Sequence, residues 1–393
     1  MMASGRFEPN RLVDEAVART GEDDFGEPSW QEGLAILLDS LEHEARLSAL
    51  GVEIATAEVV TYLANRLAIN AWRDAHPEVA GGTVDRPVFI VGQPRTGTTI
   101  LYDLLAQDPT LRAPLTWEVD RPVPAPETAT YLCDPRIAEV QETLDLAESI
   151  MPGFSSFHPV GALLGQECVR ITAADFRSMI FPTQYRIPTY DRWLLHDADL
   201  APAYRWHRRY LQHLQSRHPA DRWLLKSPAH LWHLDALATE YPDAVVVHTH
   251  RDPLKVIASG CALTAHLRAM ASDETWGTEA AADFAADIFV GLERGIAARD
   301  RGTFPPDQTI DVHFLDFMAD PISTIGGIYA ALGLVLTNGT EERMRAFLAA
   351  NPGDGDGGAA RYRFADTGLD ADALRRRSLP YQERFGVASE PVR

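Results

Sequence analysis

The spacing of apolar residues predicts that the chain begins with helices. After Ser29, the segment "GLAILLDSLEHEARLSAL" repeats apolar residues at helical spacing, and we expect Gly51 to end this helix. Ser29 followed by Glu32 three residues later has the form of a capping box. A second helix is predicted at about 57–73, before the loop "HPEVAGG". We therefore expect residues 1–85 to form an N-terminal helical extension.

Four short apolar runs then predict strands, at 87–92, 222–226, 244–248 and 309–314. Continuous apolar runs are typical of parallel strands, which are buried on both faces. Helical stretches separate them, and this alternation indicates βαβ units. For residues 86–393 we therefore predict an α/β, P-loop-like three-layer fold with a central parallel sheet.

A long segment, 120–219, interrupts this alternation. It begins with the proline-rich "DRPVPAPETATYLCDP" and becomes mainly helical and rich in aromatic residues. We interpret it as a largely helical insertion whose aromatics either roof an acceptor pocket or form ordinary core. The aromatics in question are Phe154, Phe157, Phe181, Tyr185, Tyr190, Trp193 and Trp206.

Composition excludes several classes of protein. The formal net charge of -20 argues against a nucleic-acid partner, and an anionic ligand would need a local pocket of positive charge. No apolar run approaches the roughly 18 residues of a membrane span, and "MMASGRFEPN" lacks a signal core, so we expect a cytoplasmic protein without a transmembrane segment. The three cysteines form no CxxC pair, which indicates neither a disulfide framework nor a zinc knuckle.

The first chemical motif is "VFIVGQPRTGTTILYDLLAQDP", residues 88–109. Gly92 and Gly97 have the GxxxxG spacing of a loop whose backbone N–H groups face phosphate at a helix N-terminus. The lysine that a nucleoside triphosphatase carries after the second glycine is replaced by Thr98, and Arg95 lies inside the loop instead. An ATP or GTP hydrolase is therefore disfavoured.

The second motif is "VVVHTHRDPLKVIASG". Arg251 follows a predicted strand, Asp252 and Pro253 are suited to a helix start, and Lys255 and Ser259 share one face of that helix. Read alone, the segment is either an anion-binding site or a solvated basic helix start. Two anion-binding segments at the carboxyl ends of parallel strands indicate a nucleotide with phosphate at both ends of its sugar.

These motifs resemble those of sulfotransferases that use 3'-phosphoadenosine 5'-phosphosulfate (PAPS), in the bacterial and tyrosylprotein-sulfotransferase-like branch. "PRTGTT" resembles the family's 5'-phosphosulfate loop, "RDPLKVIAS" its 3'-phosphate motif, and "LLKSPAH" its lysine-bearing strand end. The segment "ARYRFADTGL" at 360–369 is more weakly similar, and the "KTHLP" segment of the cytosolic animal enzymes is absent. The resemblance implies that the 5'-phosphosulfate is held by Arg95, Thr96, Gly97, Thr98 and Thr99, and the 3'-phosphate by Arg251 and Ser259.

The resemblance also implies a function: sulfuryl transfer from PAPS to a hydroxyl or amine of a small, hydrophobic acceptor, with release of 3',5'-bisphosphoadenosine. Lys226 and Arg95 would stabilise the transition state. Lys226 and Lys255 are the only lysines among the 36 basic residues. Glu118, in "PLTWEV", is the predicted base and His158 its rival.

Alternatives to this function are a P-loop small-molecule kinase or NTPase and a non-catalytic nucleotide-binding protein. A zinc site is conceivable because His248 and His250 share a strand face, as His230 and His233 share a helix face, but no cysteine joins them and we expect no metal. The sequence leaves the acceptor and the oligomeric state undetermined.

Overall fold

The computed structural model describes residues 5–150, 159–274, 277–351 and 362–392. The chain divides into two units. The helical unit comprises residues 1–84, 114–220 and 264–275, and the sheet unit comprises residues 85–113, 221–263 and 276–393. The predicted N-terminal extension up to residue 84 and the region 120–219 thus belong to the same unit. The predicted motifs "PRTGTT", "LLKSPAH" and "RDPLKVIAS" all belong to the other unit.

A five-stranded parallel sheet forms the centre of the sheet unit, in the order β2-β3-β1-β4-β5. The strands are β1 (Val88–Gly92), β2 (Leu111–Arg112), β3 (Arg222–Lys226), β4 (Val245–His250) and β5 (Thr309–His313). The four predicted strands are confirmed. The sequence missed β2, whose two residues pair with Arg222 and Trp223 at the edge of the sheet.

The helices, numbered in chain order, are α1 (Pro9–Thr20), α2 (Trp30–His43), α3 (Ala49–Ala75), α4 (Thr98–Leu105), α5 (Thr116–Asp120), α6 (Arg136–Ile150), α7 (Cys168–Thr172), α8 (Ile180–Gln184), α9 (Pro188–His196), α10 (Ala201–Gln215), α11 (Leu234–Glu240), α12 (Pro253–Arg268), α13 (Gly277–Arg301), α14 (Phe314–Ala319), α15 (Pro321–Leu332), α16 (Asn338–Ala350) and α17 (Ala371–Phe385). Of these, α12 begins in the sheet unit and ends in the helical unit.

The sheet unit has the predicted three layers. On one face of the sheet, Val88 and Ile90 of β1 pack in a buried cluster with residues of α4, α15 and α16. On the other face, the Phe89 ring lies 5.1 Å from that of His230 and 5.2 Å from that of Tyr241. Alternate side chains of β1 therefore point to opposite layers, and all five of its residues are buried. This explains why the strand is apolar throughout rather than alternating.

In the helical unit, the prediction that Gly51 ends a helix is wrong. The helix that follows Ser29, α2, ends at His43, and Gly51 lies in the first turn of α3, where its N–H donates to the hydroxyl of Ser48 at 3.1 Å. A Cβ on Gly51 would lie 1.9 Å from the carbonyl oxygen of Ala271. The glycine is therefore required by a close backbone approach, not by a helix end.

The predicted capping box at Ser29 is not formed. Helix α2 does begin directly after Ser29, but the Ser29 hydroxyl donates to Asp175 at 2.6 Å and makes no cap hydrogen bond. Glu32 instead forms an ion pair with Arg177 at 2.6 Å. Ser29 and Glu32 thus bind residues about 145 positions away in sequence, and these tertiary contacts replace the local hydrogen bonds of a capping box.

The described aromatic residues of 120–219 belong mainly to a core. Phe181, Tyr185, Tyr190 and Trp206 are at most 3% exposed. The Phe181 ring packs edge-on against that of Tyr190, with centroids 5.8 Å apart. Of the two interpretations that the sequence left open, ordinary core packing holds for these four residues. Phe154 and Phe157 lie outside the described residues. Within the described part of the chain, none of the helices has the length and apolar character needed to cross a membrane.

Candidate active site

The glycine-bearing loop between β1 and α4 has a backbone that ordinary residues rarely adopt. Gly92, with φ 144°, lies so close to β4 that a Cβ would be 2.3 Å from the Thr249 hydroxyl oxygen. Gly97, with φ 85°, immediately precedes α4. Arg95 also has a positive φ of 67° although it is not glycine, and such a conformation persists only where its surroundings enforce it. These turns carry the loop directly into the N-terminus of an eight-residue helix.

The threonines of this loop are not equivalent. The Thr96 hydroxyl is buried and donates to the Gln93 carbonyl oxygen at 2.6 Å, and it also lies 2.6 Å from the Thr249 hydroxyl. The Thr96 side chain therefore braces the loop against β4. Thr98 is buried as well, at 4% exposure, whereas Thr99 is half-buried.

Lys226 lies beside this loop. It is the last residue of β3, next to Ile90 of β1 in the sheet register, so its side chain leaves the sheet at the carboxyl edge. The Nζ atom donates to the Thr99 hydroxyl at 3.3 Å and lies 5.6 Å from the centroid of the Tyr102 ring. The side chain is fully buried. A desolvated ammonium group next to this glycine-bearing loop is suited to neutralising the charge of an anion at the start of α4.

The second predicted segment begins where β4 ends. Asp252 accepts a hydrogen bond from the Leu254 N–H at 3.0 Å and α12 starts at Pro253, as predicted. The two segments meet at Arg95. Its Nε donates to the Ser259 hydroxyl at 2.9 Å, and its carbonyl oxygen accepts from Nη1 of Arg251 at 3.0 Å. Lys255 lies one turn before Ser259 in α12 and is half-buried.

A carboxylate that the sequence did not predict lies at Arg251. Nε and Nη2 of Arg251 donate to the two carboxylate oxygens of Glu390, at 2.9 and 3.1 Å. Asp252 accepts from both terminal nitrogens of Arg375, at 2.6 and 2.8 Å, and from the Glu390 N–H at 2.6 Å. These partners come from α17 and the residues after it. No local pattern in the sequence signals them, because up to 139 positions separate the partners.

Glu118, the predicted base, belongs to the helical unit. It lies in the first turn of α5 and is fully buried. Its Oε1 accepts hydrogen bonds from the Leu115 N–H at 2.9 Å and from the Tyr131 hydroxyl at 2.8 Å. The carboxylate of Glu118 is therefore removed from bulk water and held by two local hydrogen bonds. His158, its rival, lies outside the described residues.

The histidines on β4 form a cluster with β5. Ligand atoms of His248, His250 and Asp311 all lie within 4.8 Å of one another. His250 Nε2 is 2.9 Å from Asp311 Oδ1, His250 Nδ1 is 2.9 Å from the Tyr381 hydroxyl, and Arg299 donates to Asp311 Oδ2 at 2.6 Å. Burial lowers the pKa of both imidazoles. Since protein groups already bind both Asp311 oxygens, we interpret the cluster as a hydrogen-bonded link between the sheet, α13 and α17.

His230 and His233 lie elsewhere in the sheet unit, in a short 3-10 helix over Pro228–His233. Burial lowers the pKa of His233 to about 3. Of the weakly similar segment 360–369, the described part holds a single turn at Phe364–Thr367, where Arg363 forms an exposed ion pair with Asp366 at 2.6 Å.

The parallel sheet and the loop between β1 and α4 place the sheet unit in the P-loop-like α/β class. Comparison with known proteins narrows this class. The sequence model of the family described as "Sulfotransferase family" matches residues 87–338. The chain therefore belongs to the sulfotransferase family, as the motifs implied, which disfavours the kinase and NTPase alternatives.

Two solved structures are similar to this chain over nearly all of its residues. The fold is similar to that of the sulfotransferase STF9 from Mycobacterium avium, with a TM-score of 0.89 and 30% identity, covering 99% of each chain. It is also similar to STF1 from Mycobacterium tuberculosis H37Rv, with a TM-score of 0.83 and 31% identity over 94% of this chain and 98% of that one. Among curated proteins, the omega-hydroxy-beta-dihydromenaquinone-9 sulfotransferase Stf3 of Mycobacterium tuberculosis is 26% identical over 276 residues, 67% of each protein.

Proposed function

We propose that the protein transfers the sulfuryl group of PAPS to a hydroxyl of a hydrophobic acceptor and releases 3',5'-bisphosphoadenosine. The observation that carries this proposal is the meeting of two separate cationic segments at Arg95. Nε of Arg95 donates a hydrogen bond to the Ser259 hydroxyl, and the Arg95 carbonyl oxygen accepts one from Arg251. The loop before α4 and the start of α12 together therefore offer hydrogen-bond donors for two anionic groups. This suits a nucleotide that is phosphorylated at both ends of its sugar.

The chemistry assigned to Lys226 and Arg95 follows from their charge and position. In the transfer, the acceptor oxygen forms a bond to sulfur while the bond between sulfur and the bridging phosphate oxygen breaks. Negative charge grows on that leaving oxygen, by analogy with loose phosphoryl transfer. Lys226, buried beside Thr99 of the loop, would neutralise this charge, with Arg95 as the second cation.

Glu118 stays our proposed base, which would take the proton of the acceptor hydroxyl. The proposal rests on the resemblance of "PLTWEV" and on the burial of the carboxylate. The contacts of Glu118 with Leu115 and Tyr131 hold the carboxylate in one orientation. A fixed orientation is an advantage for a base that must meet one proton.

For the acceptor we propose a lipid alcohol. Stf3, the curated relative, is named for omega-hydroxy-beta-dihydromenaquinone-9, a quinone-derived lipid with a terminal hydroxyl. A hydroxyl at the end of a long apolar chain combines a simple nucleophile with a large hydrophobic binding area. Screening labelled PAPS against ω-hydroxylated polyprenyl quinols, short-chain alcohols and phenols tests this choice. Preference for the short polar acceptors would contradict it.

Nucleotide binding tests the donor before any acceptor is known. We expect 3',5'-bisphosphoadenosine to raise the thermal unfolding temperature without magnesium, and more than ATP with magnesium does. The Arg251→Gln variant should lose most of this shift, whereas Arg345→Gln, which removes the same charge from the exposed Arg345–Glu341 pair of α16, should keep it. Equal or larger stabilisation by ATP with magnesium would support a nucleotide-binding protein of another kind.

A further inference from the structure

The ion pair between Arg251 and Glu390 has the geometry by which arginine binds phosphate. Nε and Nη2 form one edge of the guanidinium, and each donates to a different oxygen of the same carboxylate, at 2.9 and 3.1 Å. Two parallel bonds of this kind are how guanidinium recognises both carboxylates and phosphates. The side chains of Arg251 and Glu390 are only 12% and 11% exposed. The carboxylate thus occupies the edge of Arg251 that is best suited to a phosphate.

The segment that carries Glu390 is held in place by its backbone. The Glu390 N–H donates to the buried carboxylate of Asp252, the residue directly after Arg251. Gln382 of α17 donates to the Val387 carbonyl oxygen at 3.2 Å and to the Ser389 hydroxyl at 3.1 Å. Rotation about the side-chain bonds of Glu390 therefore suffices to free Arg251, and the backbone anchors need not break.

Arg251 is itself fixed from two further sides. Its Nη1 donates to the Arg95 carbonyl oxygen at 3.0 Å, and its guanidinium carbon lies 3.8 Å from the centroid of the Phe314 ring. Both contacts leave the Nε–Nη2 edge pointing at Glu390. An incoming anion finds this edge preorganised, and only the carboxylate has to move.

We propose that Glu390 is an internal competitor for the phosphate-binding edge of Arg251. The 3'-phosphate of the donor displaces the carboxylate on binding, and the return of the carboxylate promotes release of the bisphosphorylated product. This inference rests on the proposed function and deepens it. A phosphate monoester carries about -1.5 to -2 charges against the single charge of a carboxylate, so the phosphate prevails in the exchange, but with reduced net affinity. Glu390 would thus weaken nucleotide binding and quicken product release.

Isothermal titration with 3',5'-bisphosphoadenosine tests the exchange. Glu390→Gln removes the charge of the competing carboxylate with little change of shape. We expect this variant to bind the nucleotide about tenfold tighter and to release it more slowly, because the phosphate no longer has to break a well-formed charge pair. Glu383→Gln is the matched control, since Glu383 is an exposed glutamate of α17 and its substitution removes the same formal charge. We expect Glu383→Gln to bind like the wild type.

Two further measurements separate displacement at Arg251 from a general electrostatic gain. Adenosine 5'-phosphate lacks the 3'-phosphate, so its affinity should be the same in Glu390→Gln and in the wild type. In an Arg251→Gln background, Glu390→Gln should no longer tighten binding of the bisphosphorylated nucleotide. Thermal unfolding of each variant verifies that it is folded.

The outcomes are distinct. If the wild type binds 3',5'-bisphosphoadenosine and Glu390→Gln binds it equally well or more weakly, Glu390 positions Arg251 rather than competing for it, and the inference is overturned. Equal tightening for both nucleotides would overturn it as well. If neither protein binds the bisphosphorylated nucleotide, the proposed function fails and this inference fails with it.

Discussion

Replacement of Lys226 by methionine should change activity and stability in opposite directions. Lys226 has its whole side chain buried, so its ammonium group has been removed from water. Its contacts include a 3.3 Å hydrogen bond to Thr99 and a 5.6 Å approach to the Tyr102 ring, alongside other interactions of the same group. A site that desolvates a charge to this extent is expected to use that charge in its chemistry.

The magnitude of the stability change follows from these contacts. A cation over an aromatic ring contributes up to about 2 kcal/mol when desolvated. Desolvation of a charged group costs several kcal/mol, and an apolar side chain of similar volume does not carry this cost. Methionine is unbranched and fills the space of the lysine stem. We therefore expect Lys226→Met to unfold in urea at the wild-type concentration or slightly above it.

The activity of Lys226→Met should fall sharply. Loss of one preorganised donor to developing negative charge costs about 3–4 kcal/mol, or 100- to 1,000-fold in kcat. The assay is single-turnover transfer from saturating labelled PAPS to the best acceptor found by screening. Thr99→Val keeps the Lys226 charge but removes a hydroxyl that the resemblance assigns to the phosphosulfate, so at saturating PAPS it should lose less activity than Lys226→Met.

A Lys226→Met variant that keeps more than a tenth of the wild-type rate would refute this reasoning. So would a rate loss matched by an equal loss of stability, since that pattern indicates a structural role for the lysine. Binding of 3',5'-bisphosphoadenosine by the variant must be measured alongside, because in the proposed mechanism the lysine would also face the phosphate that remains on the product.

Three further predictions concern other parts of the chain. Gly92→Ala, which forces a Cβ to within 2.3 Å of the Thr249 hydroxyl at a positive φ, should lower the free energy of unfolding by about 3 kcal/mol in urea titration. Glu118→Gln should abolish transfer while nucleotide affinity stays unchanged in calorimetry, whereas Tyr131→Phe, which removes one hydrogen bond to that carboxylate, should reduce transfer only modestly. Burial lowers the pKa of His213 to about 4, so its contribution to stability should be present above pH 6.5 and be lost as pH falls from 6.5 toward 4, by up to about 3 kcal/mol.

Each of these predictions has its own control. Gly81→Ala has open space at its Cβ position and should leave unfolding unchanged. A Glu118→Gln enzyme with near-normal turnover and intact nucleotide binding would exclude Glu118 as the base. As pH falls, His213 is protonated in the unfolded chain before it is protonated in the folded protein, so acid favours unfolding. His213→Gln should therefore flatten the plot of unfolding free energy against pH between 6.5 and 4. Substitution of the exposed His43 should leave that plot unchanged. An unchanged slope in His213→Gln would assign the acid sensitivity to other groups.

Short sequence patterns were enough to predict four of the five strands of the sheet unit, the loop after β1 and the start of α12. The run at β1 is apolar throughout and the runs at β3 and β4 have apolar centres, because parallel strands are covered on both faces, and this pattern needs no knowledge of the partner. The loop from Gly92 to Gly97 and the start of α12 at Pro253 are equally local, since each depends on backbone conformations that few residue types accept. Strand β2, with only two residues, is too short to show a pattern.

Only the tertiary structure decided how the site residues are engaged. The prediction that Gly51 ends a helix was wrong because the glycine is required by the backbone of Ala271, which lies 220 positions further along the chain and packs closely against it. The same is true of Thr96, whose hydroxyl turns inward to Thr249, and of Arg251, whose partner Glu390 is 139 residues away. A sequence pattern records the conformational preference of a residue and its neighbours. Which distant group satisfies a given charge or close contact is determined by packing, and no local pattern encodes it.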